Sequence, residues 1–182
     1  MKEIIVPFPV RIKKFKKHAE LKDKLLDAIN RQENVQRMLA PGNDITRCDW
    51  ETSRFDRSRE WLSIIGIDLY EHLGEWTTSL GYYDFQVAEI WFQQYTNGSH
   101  HGWHVHGGNM TNVYYLDLPA DSPKTEWINP IDNSIHQFDI EEGDIITFPS
   151  WLKHRAPINQ SSKMKTIISW NLDVILQDGY GE

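Results

Sequence analysis

The sequence has few of the features that mark secreted, membrane-spanning or disulfide-bonded proteins. Its 182 residues include one cysteine, Cys48, which excludes an internal disulfide, is typical of a reducing compartment and suits a buried structural thiol. No apolar run approaches the ~20 residues that a membrane span needs. The segment MKEIIVPFPV lacks the charged start and long apolar stretch of a signal peptide. We therefore expect a cytoplasmic protein with no membrane partner.

Positive charge is also scarce, since the formal net charge is −7. A nucleic-acid partner requires a basic surface, so the sequence predicts none. The basic residues between Arg11 and Lys24 are explained more simply by the solvated face of a helix. No Gly-rich phosphate loop occurs, and no histidine lies near Cys48 in sequence, so nucleophilic catalysis has little support.

The hydrophobic pattern changes period about halfway along the chain. Apolar residues make up 40% of the sequence, which is enough for the core of one globular domain. Residues 1–84 show helical spacing, and residues 85–176 show the alternation of strands. Several short strands with turn signals between them predict a β-sandwich or barrel with the helices packed on one face of the sheet.

The predicted elements begin with an edge strand, because two prolines interrupt it, and continue with two amphipathic helices. The second helix has a break left open near Gly66 and Gly74. The edge strand is 4–10 and the helices are 19–39, ended by Pro41-Gly42, and 58–80. Strands follow from Phe85 and at 112–118, 125–128, 134–138, 144–148 and 164–172.

The strongest functional signal is a pair of histidines one residue apart, His104 and His106. Side chains at i and i+2 of a strand share a face, so both imidazoles can reach one metal ion. His154, just beyond a predicted strand, can supply a third ligand and leave coordination positions open for chemistry. Such a pair also arises by chance among eight histidines, and an exposed loop is the plain alternative for His154. The conjunction of the two segments favours a metal site.

The remaining histidines fit other roles. His100 and His101 lie in a polar Gly/Ser stretch, which predicts loop residues at the border of the site. His18 belongs to the start of the first helix, and His136 to a solvent-facing strand position.

From Phe85 to Leu172, about half of the chain, the motifs follow an order that resembles a known family. That family is the 2-oxoglutarate- and Fe(II)-dependent dioxygenases, in the prolyl-hydroxylase-like branch and its group with H-x-H in place of H-x-D. No single motif is specific, but their order together is. The matching motifs are Trp91, Tyr95-x-x-Gly98, His104-x-His106, Val113–Leu116, Asn129-Pro130, Gly143-Asp144, Phe148–Trp151, His154 and Lys165–Asn171.

The resemblance implies a double-stranded β-helix, a jelly roll that holds iron inside one end. It implies that His104, His106 and His154 are the Fe(II) ligands and catalytic residues. Four tryptophans are candidates for the apolar walls of the site, although packing in the core is the simpler role for each: Trp91, Trp103, Trp151 and Trp170.

The resemblance also implies a set of residues for the co-substrate 2-oxoglutarate. Lys165 fits the basic residue that pairs with the far carboxylate of 2-oxoglutarate, with Lys163 as the fallback on the same strand face. Tyr115 and Tyr95 match positions whose hydroxyls contact the co-substrate, and Asn171 shares the face of Lys165.

By this resemblance the protein is a hydroxylase that uses O₂ to oxidise a C–H bond of a peptide or small-molecule substrate, with release of succinate and CO₂. The substrate and the oligomeric state are left open. His106 departs from the family, whose facial triad has a carboxylate there. Two alternatives therefore stand: a cupin-like three-histidine metalloenzyme that does not use 2-oxoglutarate, and a non-catalytic jelly-roll binding module.

Overall fold

A computed structural model describes residues 8–53 and 55–176 of the chain. Within these ranges the helices are α1 (His18–Arg31), α2 (Trp50–Ser53) and α3 (Glu60–Ser79). The strands are β1 (Arg11–Lys14), β2 (Gln36–Ala40), β3 (Asn43–Cys48), β4 (Asp84–Tyr95), β5 (His100–His104), β6 (Met110–Asp117), β7 (Glu126–Ile128), β8 (Ile135–Gln137), β9 (Asp144–Pro149), β10 (His154–Ala156) and β11 (Lys165–Ile175). No helix in the described ranges is long and apolar enough to cross a bilayer.

The strands form one antiparallel sheet that curls on itself. Their order is β1-β9-β6-β11-β4-β3-β5-β10-β7-β8, with β2 paired to β3. Strands β9 and β10 are far apart in this order, yet the ring of Phe148 on β9 lies 4.7 Å from the ring of His154 on β10. The two ends of the sheet therefore face each other. The architecture is the predicted double-stranded β-helix, with helices packed on one sheet.

Alternation along the central strands separates two hydrophobic cores. On β6, Tyr114 faces the helices and packs edge-on against Phe15 at 5.1 Å, whereas Tyr115 belongs to the core inside the roll. Helix α1 contributes Leu21, Leu25 and Ile29 to the outer core. Because neighbouring residues of a strand point to opposite faces, the interior of the roll is kept for the residues of the functional site.

The structure corrects the prediction for the first half of the chain. Helix α1 ends at Arg31, and residues 36–39, predicted as the end of that helix, belong to strand β2, which forms a hairpin with β3. Pro41-Gly42 is the hairpin turn, where Gly42 has φ +79°, a conformation that favours glycine. The prediction failed because Ile45 and Cys48 are buried in the core inside the roll, and that tertiary packing outweighs the helical spacing of the preceding residues.

Two further predictions for this half also change. The edge strand is Arg11–Lys14, residues 8–10 are not in a strand, and the rest of the predicted strand at 4–10 lies outside the described residues. Helix α3 runs without a break through Gly66 and Gly74, since neither position requires an unusual backbone conformation.

In the second half the predicted strands are confirmed to within three residues at each end, but two short strands were missed. The stretch at His100 and His101, predicted to be a loop, is strand β5, and His154 lies within β10 rather than beyond a strand end. Their β-character comes from pairing with each other, which the local sequence does not reveal.

A buried carboxylate joins the helices to the sheet. Asp49, 1% exposed, accepts hydrogen bonds from Arg59 Nη1 at 2.8 Å, Trp61 Nε1 at 3.0 Å and the Phe92 backbone N–H at 2.8 Å. Its partner Arg59 is also buried and donates to the Ile90 carbonyl at 2.8 Å. The start of α3 is thereby tied to β4, which carries part of the site.

We expect Asp49→Ala to lower the free energy of unfolding by about 3–5 kcal/mol, because it leaves the Arg59 guanidinium buried without its counter-charge. Urea denaturation of the two proteins measures the difference. Glu75→Gln is the control, since Glu75 pairs with Lys13 and Lys16 on the surface, and we expect little change from it. A loss for Asp49→Ala no larger than for the control would contradict the role of this carboxylate.

Candidate metal centre

The structure brings the three predicted ligand histidines together. Strands β5 and β10 pair so that His104 lies directly opposite His154. His106 follows β5 by two residues, and its backbone N–H donates to the Ser150 carbonyl at 2.9 Å. The candidate ligand atoms of all three side chains lie within 4.8 Å of one another. This is a cluster that one metal ion can bridge.

Two of the imidazoles are each oriented by the backbone carbonyl two residues earlier in the chain. His104 Nδ1 lies 2.7 Å from the Gly102 carbonyl, and His154 Nδ1 lies 2.8 Å from the Leu152 carbonyl. A carbonyl oxygen only accepts, so each Nδ1 carries the proton and each Nε2 offers its lone pair. Metal-binding histidines are commonly held in this way.

Burial keeps the cluster neutral at physiological pH. It is the main cause that lowers the pKa of His106 to about 4, with the neighbouring His104 ring adding to the effect. Burial also lowers the pKa of His104, and it lowers that of His154 well below the ordinary value. Neutral imidazole is the form that binds metal, so the donor set suits a divalent transition ion and leaves coordination positions open.

Apolar rings close two sides of the cluster. Trp91, 4% exposed, stacks on His106 at 5.7 Å, and Phe148 lies edge-on to His154. Of the other candidate wall tryptophans, Trp103 lies under the Arg155 guanidinium, Trp151 is 54% exposed and Trp170 lies in the outer core. Only Trp91 of the four packs directly against a candidate ligand.

Lys165 places a buried cation on the inner face of the roll. Its ammonium donates to the Pro123 carbonyl at 2.7 Å and lies 5.7 Å from the ring centres of Tyr95 and Tyr115. Burial alone lowers its pKa to about 8, and no described residue places a carboxylate within ion-pairing distance. The fallback Lys163 is exposed, so Lys165 is the lysine that faces the interior.

The predicted co-substrate residues lie around this lysine and the histidines. Tyr95 and Tyr115 are both buried, and the Tyr115 hydroxyl forms a 2.6 Å hydrogen bond with Thr125. Burial raises the pKa of Tyr115, so its hydroxyl stays protonated. Asn171 lies farther along β11 and lines the groove beside His106.

Two spaces meet at the histidine cluster. An internal pocket of about 20 Å³ is bordered by the three histidines, Tyr95 and Thr125, which is room for little more than one water molecule. Outside it, an open groove of about 790 Å³ runs past Trp50, Glu89, Trp91, His106, Asn171 and Asp173. The groove gives a larger molecule access to the cluster.

His101, predicted to be a loop residue at the border of the site, lies closer to the cluster than expected. His101 lies in β5 rather than in a loop, and its ring stacks on His104 with 3.7 Å between ring centres. A register irregularity between His154 and Ala156 changes the pairing of β5 with β10 at this point. The adjacent pair His100-His101 was the only sequence signal, and local alternation does not predict this placement.

The other histidines lie away from the cluster. His18 Nδ1 lies 2.7 Å from the Tyr114 hydroxyl in the outer core. His136 is exposed on β8, as predicted, and its ring stacks on Trp127.

No protein-family model and no curated protein sequence matches the chain. Solved structures do. A 2OG-Fe(II) oxygenase-family oxidoreductase from Burkholderia pseudomallei aligns with a TM-score of 0.69 and 13% identity, covering 90% of this chain and 85% of that one. The collagen prolyl hydroxylase of Paramecium bursaria Chlorella virus-1, in its 2OG complex, aligns with a TM-score of 0.65 and 15% identity, covering 92% and 96%.

A third solved structure is a prolyl hydroxylase from Trichoplax adhaerens in complex with a peptide fragment of hypoxia-inducible factor. It aligns with a TM-score of 0.64 and 15% identity, covering 91% of this chain and 83% of that chain. At such identities the likeness shows the fold. The chain therefore has the double-stranded β-helix found in 2-oxoglutarate- and Fe(II)-dependent oxygenases.

We expect acid to destabilise the metal-free protein. Burial lowers the pKa of His101 from 6.5 to about 3, so the unfolded chain takes up this proton first as the pH falls below 6.5. The free energy of unfolding should therefore decrease as the pH is lowered from 6.5 to about 3, by up to ~1.4 kcal/mol per pH unit for this one group. Urea unfolding at several pH values measures this dependence, and the free energy of unfolding should change less with pH in His101→Gln than in the native protein. Equal slopes would show that His101 titrates normally.

Proposed function

We propose that the protein is an Fe(II)- and 2-oxoglutarate-dependent oxygenase that hydroxylates a C–H bond of a peptide or small molecule. The observation that carries the proposal is the buried Lys165 ammonium without a carboxylate partner. It lies inside the same roll as a cluster of three neutral imidazoles. The fold supports the proposal, since it is the fold of that oxygenase class.

A buried cation requires an anion, and the described residues provide only a carbonyl oxygen. Burial of a charge without a counter-charge is costly, so the site favours a ligand that brings its own carboxylate. Three neutral ligands around a divalent metal also favour an anion. A dicarboxylate with a 2-oxo group meets both requirements, because one end can bind the metal while the other carboxylate pairs with Lys165. 2-Oxoglutarate has this chemistry.

Each residue then has a role in the reaction. His104, His106 and His154 would hold the iron, while Lys165 would fix the far carboxylate, with Tyr95, Tyr115 and Asn171 beside the co-substrate. Iron with 2-oxoglutarate couples the reduction of O₂ to oxidation of the substrate, and the co-substrate leaves as succinate and CO₂. Trp91 and Phe148 exclude water from two sides of the cluster, which protects reactive species from side reactions.

The internal pocket must widen for this ligand, because its volume is only about 20 Å³. One wall lies at Thr125, and Pro123, the hydrogen-bond partner of Lys165, belongs to the same irregular segment between β6 and β7. Movement of this segment would release Lys165 and enlarge the pocket together. A pocket that does not widen would leave the second candidate, a cupin-like three-histidine enzyme that does not use 2-oxoglutarate.

The open groove is the proposed path for the substrate. It is about 790 Å³ in volume and reaches His104 and His106, so it can take a small molecule or part of a peptide chain. The Trichoplax adhaerens enzyme binds a peptide fragment. We further propose that the chain is one oxygenase domain, with helical support in residues 1–84 and the jelly-roll core in residues 85–176, and that it acts in the cytoplasm.

We expect anaerobic Fe(II) followed by 2-oxoglutarate to produce a visible metal-to-ligand charge-transfer band, and aeration to yield succinate. Absorption spectroscopy and succinate quantification measure the two results. His104→Ala should abolish both because it removes a metal ligand, whereas His136→Ala, on exposed β8, should retain them. Bound iron without a band and without succinate would favour the cupin-like alternative.

We expect Lys165→Gln to weaken 2-oxoglutarate binding by about 100-fold or more while Fe(II) affinity is retained, because a buried charge-assisted contact is worth several kcal/mol. Isothermal titration of the metal-loaded protein measures this affinity. Lys163→Gln is the matched control, since Lys163 is the exposed lysine two residues away. If the control loses affinity and Lys165→Gln does not, the assignment of the anchor is wrong.

The affinity for 2-oxoglutarate should also depend on pH. The protonated lysine binds the anion, and the pKa of Lys165 is lowered to about 8. Affinity should therefore be level below pH 8 and fall by up to about tenfold per pH unit above it. Lys165→Arg should remove this fall, because arginine stays charged. A fall that persists in Lys165→Arg would have to come from another group.

A further inference from the structure

The third imidazole of the cluster lacks the support that the other two have. His104 and His154 each direct Nδ1 at the backbone carbonyl two residues earlier in the chain, whereas no such backbone acceptor serves the ring of His106 among the described contacts. A neutral imidazole that binds a metal through one nitrogen keeps a proton on the other. That N–H needs a hydrogen-bond acceptor to fix the ring.

Asn171 offers an acceptor that needs a donor. It is 7% exposed and lines the same groove as His106. Its Oδ1 is buried and has no hydrogen-bond partner within 3.5 Å among the described residues. The ring of His106 is nevertheless close enough for the amide to oppose the lowering of its pKa by burial. A ring without a backbone acceptor and a buried acceptor without a donor therefore lie beside the same groove.

The amide nitrogen of Asn171 already has a hydrogen-bond partner. Asn171 is paired directly with Glu89 across β11 and β4, and its Nδ2 donates to Glu89 Oε2 at 3.4 Å. Trp50 Nε1 lies 3.5 Å from the same carboxylate oxygen. Because the two ends of an amide point apart, the contact with Glu89 turns Oδ1 away from that carboxylate.

We propose that Asn171 is the positioning residue for His106, and that a relay from His106 through Asn171 to Glu89 brings negative charge to a metal centre whose third ligand is neutral. The inference rests on the metal site of the proposed function and extends it to two residues outside the cluster. It also changes the role of Asn171, from a co-substrate contact to a support of the third ligand.

The relay has an electrostatic consequence at the metal. An imidazole in place of a carboxylate leaves the centre one unit more positive. A carboxylate two hydrogen bonds away polarises the amide and, through it, the imidazole N–H, since hydrogen bonds in series strengthen one another. The ring nitrogen that faces the metal then becomes a stronger donor. Part of the missing ligand charge is restored from the second layer of residues.

Cobalt(II) titration with proton NMR tests the relay without turnover. The native protein should bind one Co(II) and show three exchangeable, strongly shifted N–H signals, one from each ligand ring. Asn171→Leu should weaken Co(II) binding by about 10–100-fold, as loss of a ligand's hydrogen-bond partner typically does. It should shift or broaden one of the three signals and leave the other two unchanged.

Glu89→Gln provides a second variant in case Asn171→Leu does not fold, which thermal unfolding will show. It should weaken Co(II) binding and shift the same single signal, by less than Asn171→Leu does. Asp173→Asn is the matched control. It removes the same charge from the same groove, but Asp173 accepts from the Asn109 backbone N–H rather than from Asn171. It should retain the native N–H signals.

The outcomes separate the two proposals. A native protein that binds no Co(II), or shows fewer than three shifted signals, overturns the three-histidine metal site itself. Native binding with three signals that stay unchanged in Asn171→Leu and Glu89→Gln overturns the relay and leaves the metal site standing. Equal changes in all three signals also overturn it, because they indicate a general structural effect.

Discussion

The antiparallel pairing of β5 with β10 is the interaction on which the rest of the site depends. It places His104 opposite His154, and the spacing of two residues adds His106. Backbone carbonyls within the same segments hold the proton on two of the rings. The pairing also closes the roll, since it sets β10 against Phe148 of β9. Formation of the sheet and assembly of the cluster are therefore one event, and loss of either strand would remove both.

The interior of the roll contains a buried positive charge without a buried negative charge beside it, among the described residues. Its histidines are held neutral by burial, and its one buried ammonium, among the described residues, contacts a carbonyl and two aromatic rings. In the outer core, by contrast, the buried charge of Arg59 is neutralised by Asp49. A protein that needed Lys165 only for stability would gain from such a partner. The missing counter-charge is better explained by a ligand than by packing.

The sequence predicted the fold class and the grouping of His104, His106 and His154, because both follow from local periodicity and motif order. His104 and His106 share a face by spacing alone, and a strand that starts with Lys165 directs alternate residues inward. Strand β2 was misread as the end of the first helix, because its pairing with β3 is not visible in the spacing of the local sequence. The placement of His101 depends on a register irregularity, and the contact of Asn171 with Glu89 joins residues 82 positions apart. Neither has a local signature.

With His106 as a metal ligand in place of a carboxylate, as proposed, the balance between metal and co-substrate would shift. A neutral third ligand attracts the metal dication less, but it leaves more positive charge to attract an anionic co-substrate. A carboxylate that acts through Asn171, as proposed for Glu89, would strengthen the imidazole without occupying a metal position. Glu89 pairs with Asn171, and Lys165 pairs with Tyr95 at the other end of the same two strands, so the field of Glu89 is weaker at Lys165, where the co-substrate would bind, than at His106. The arrangement can therefore support metal binding and still favour a dianion that pairs with Lys165.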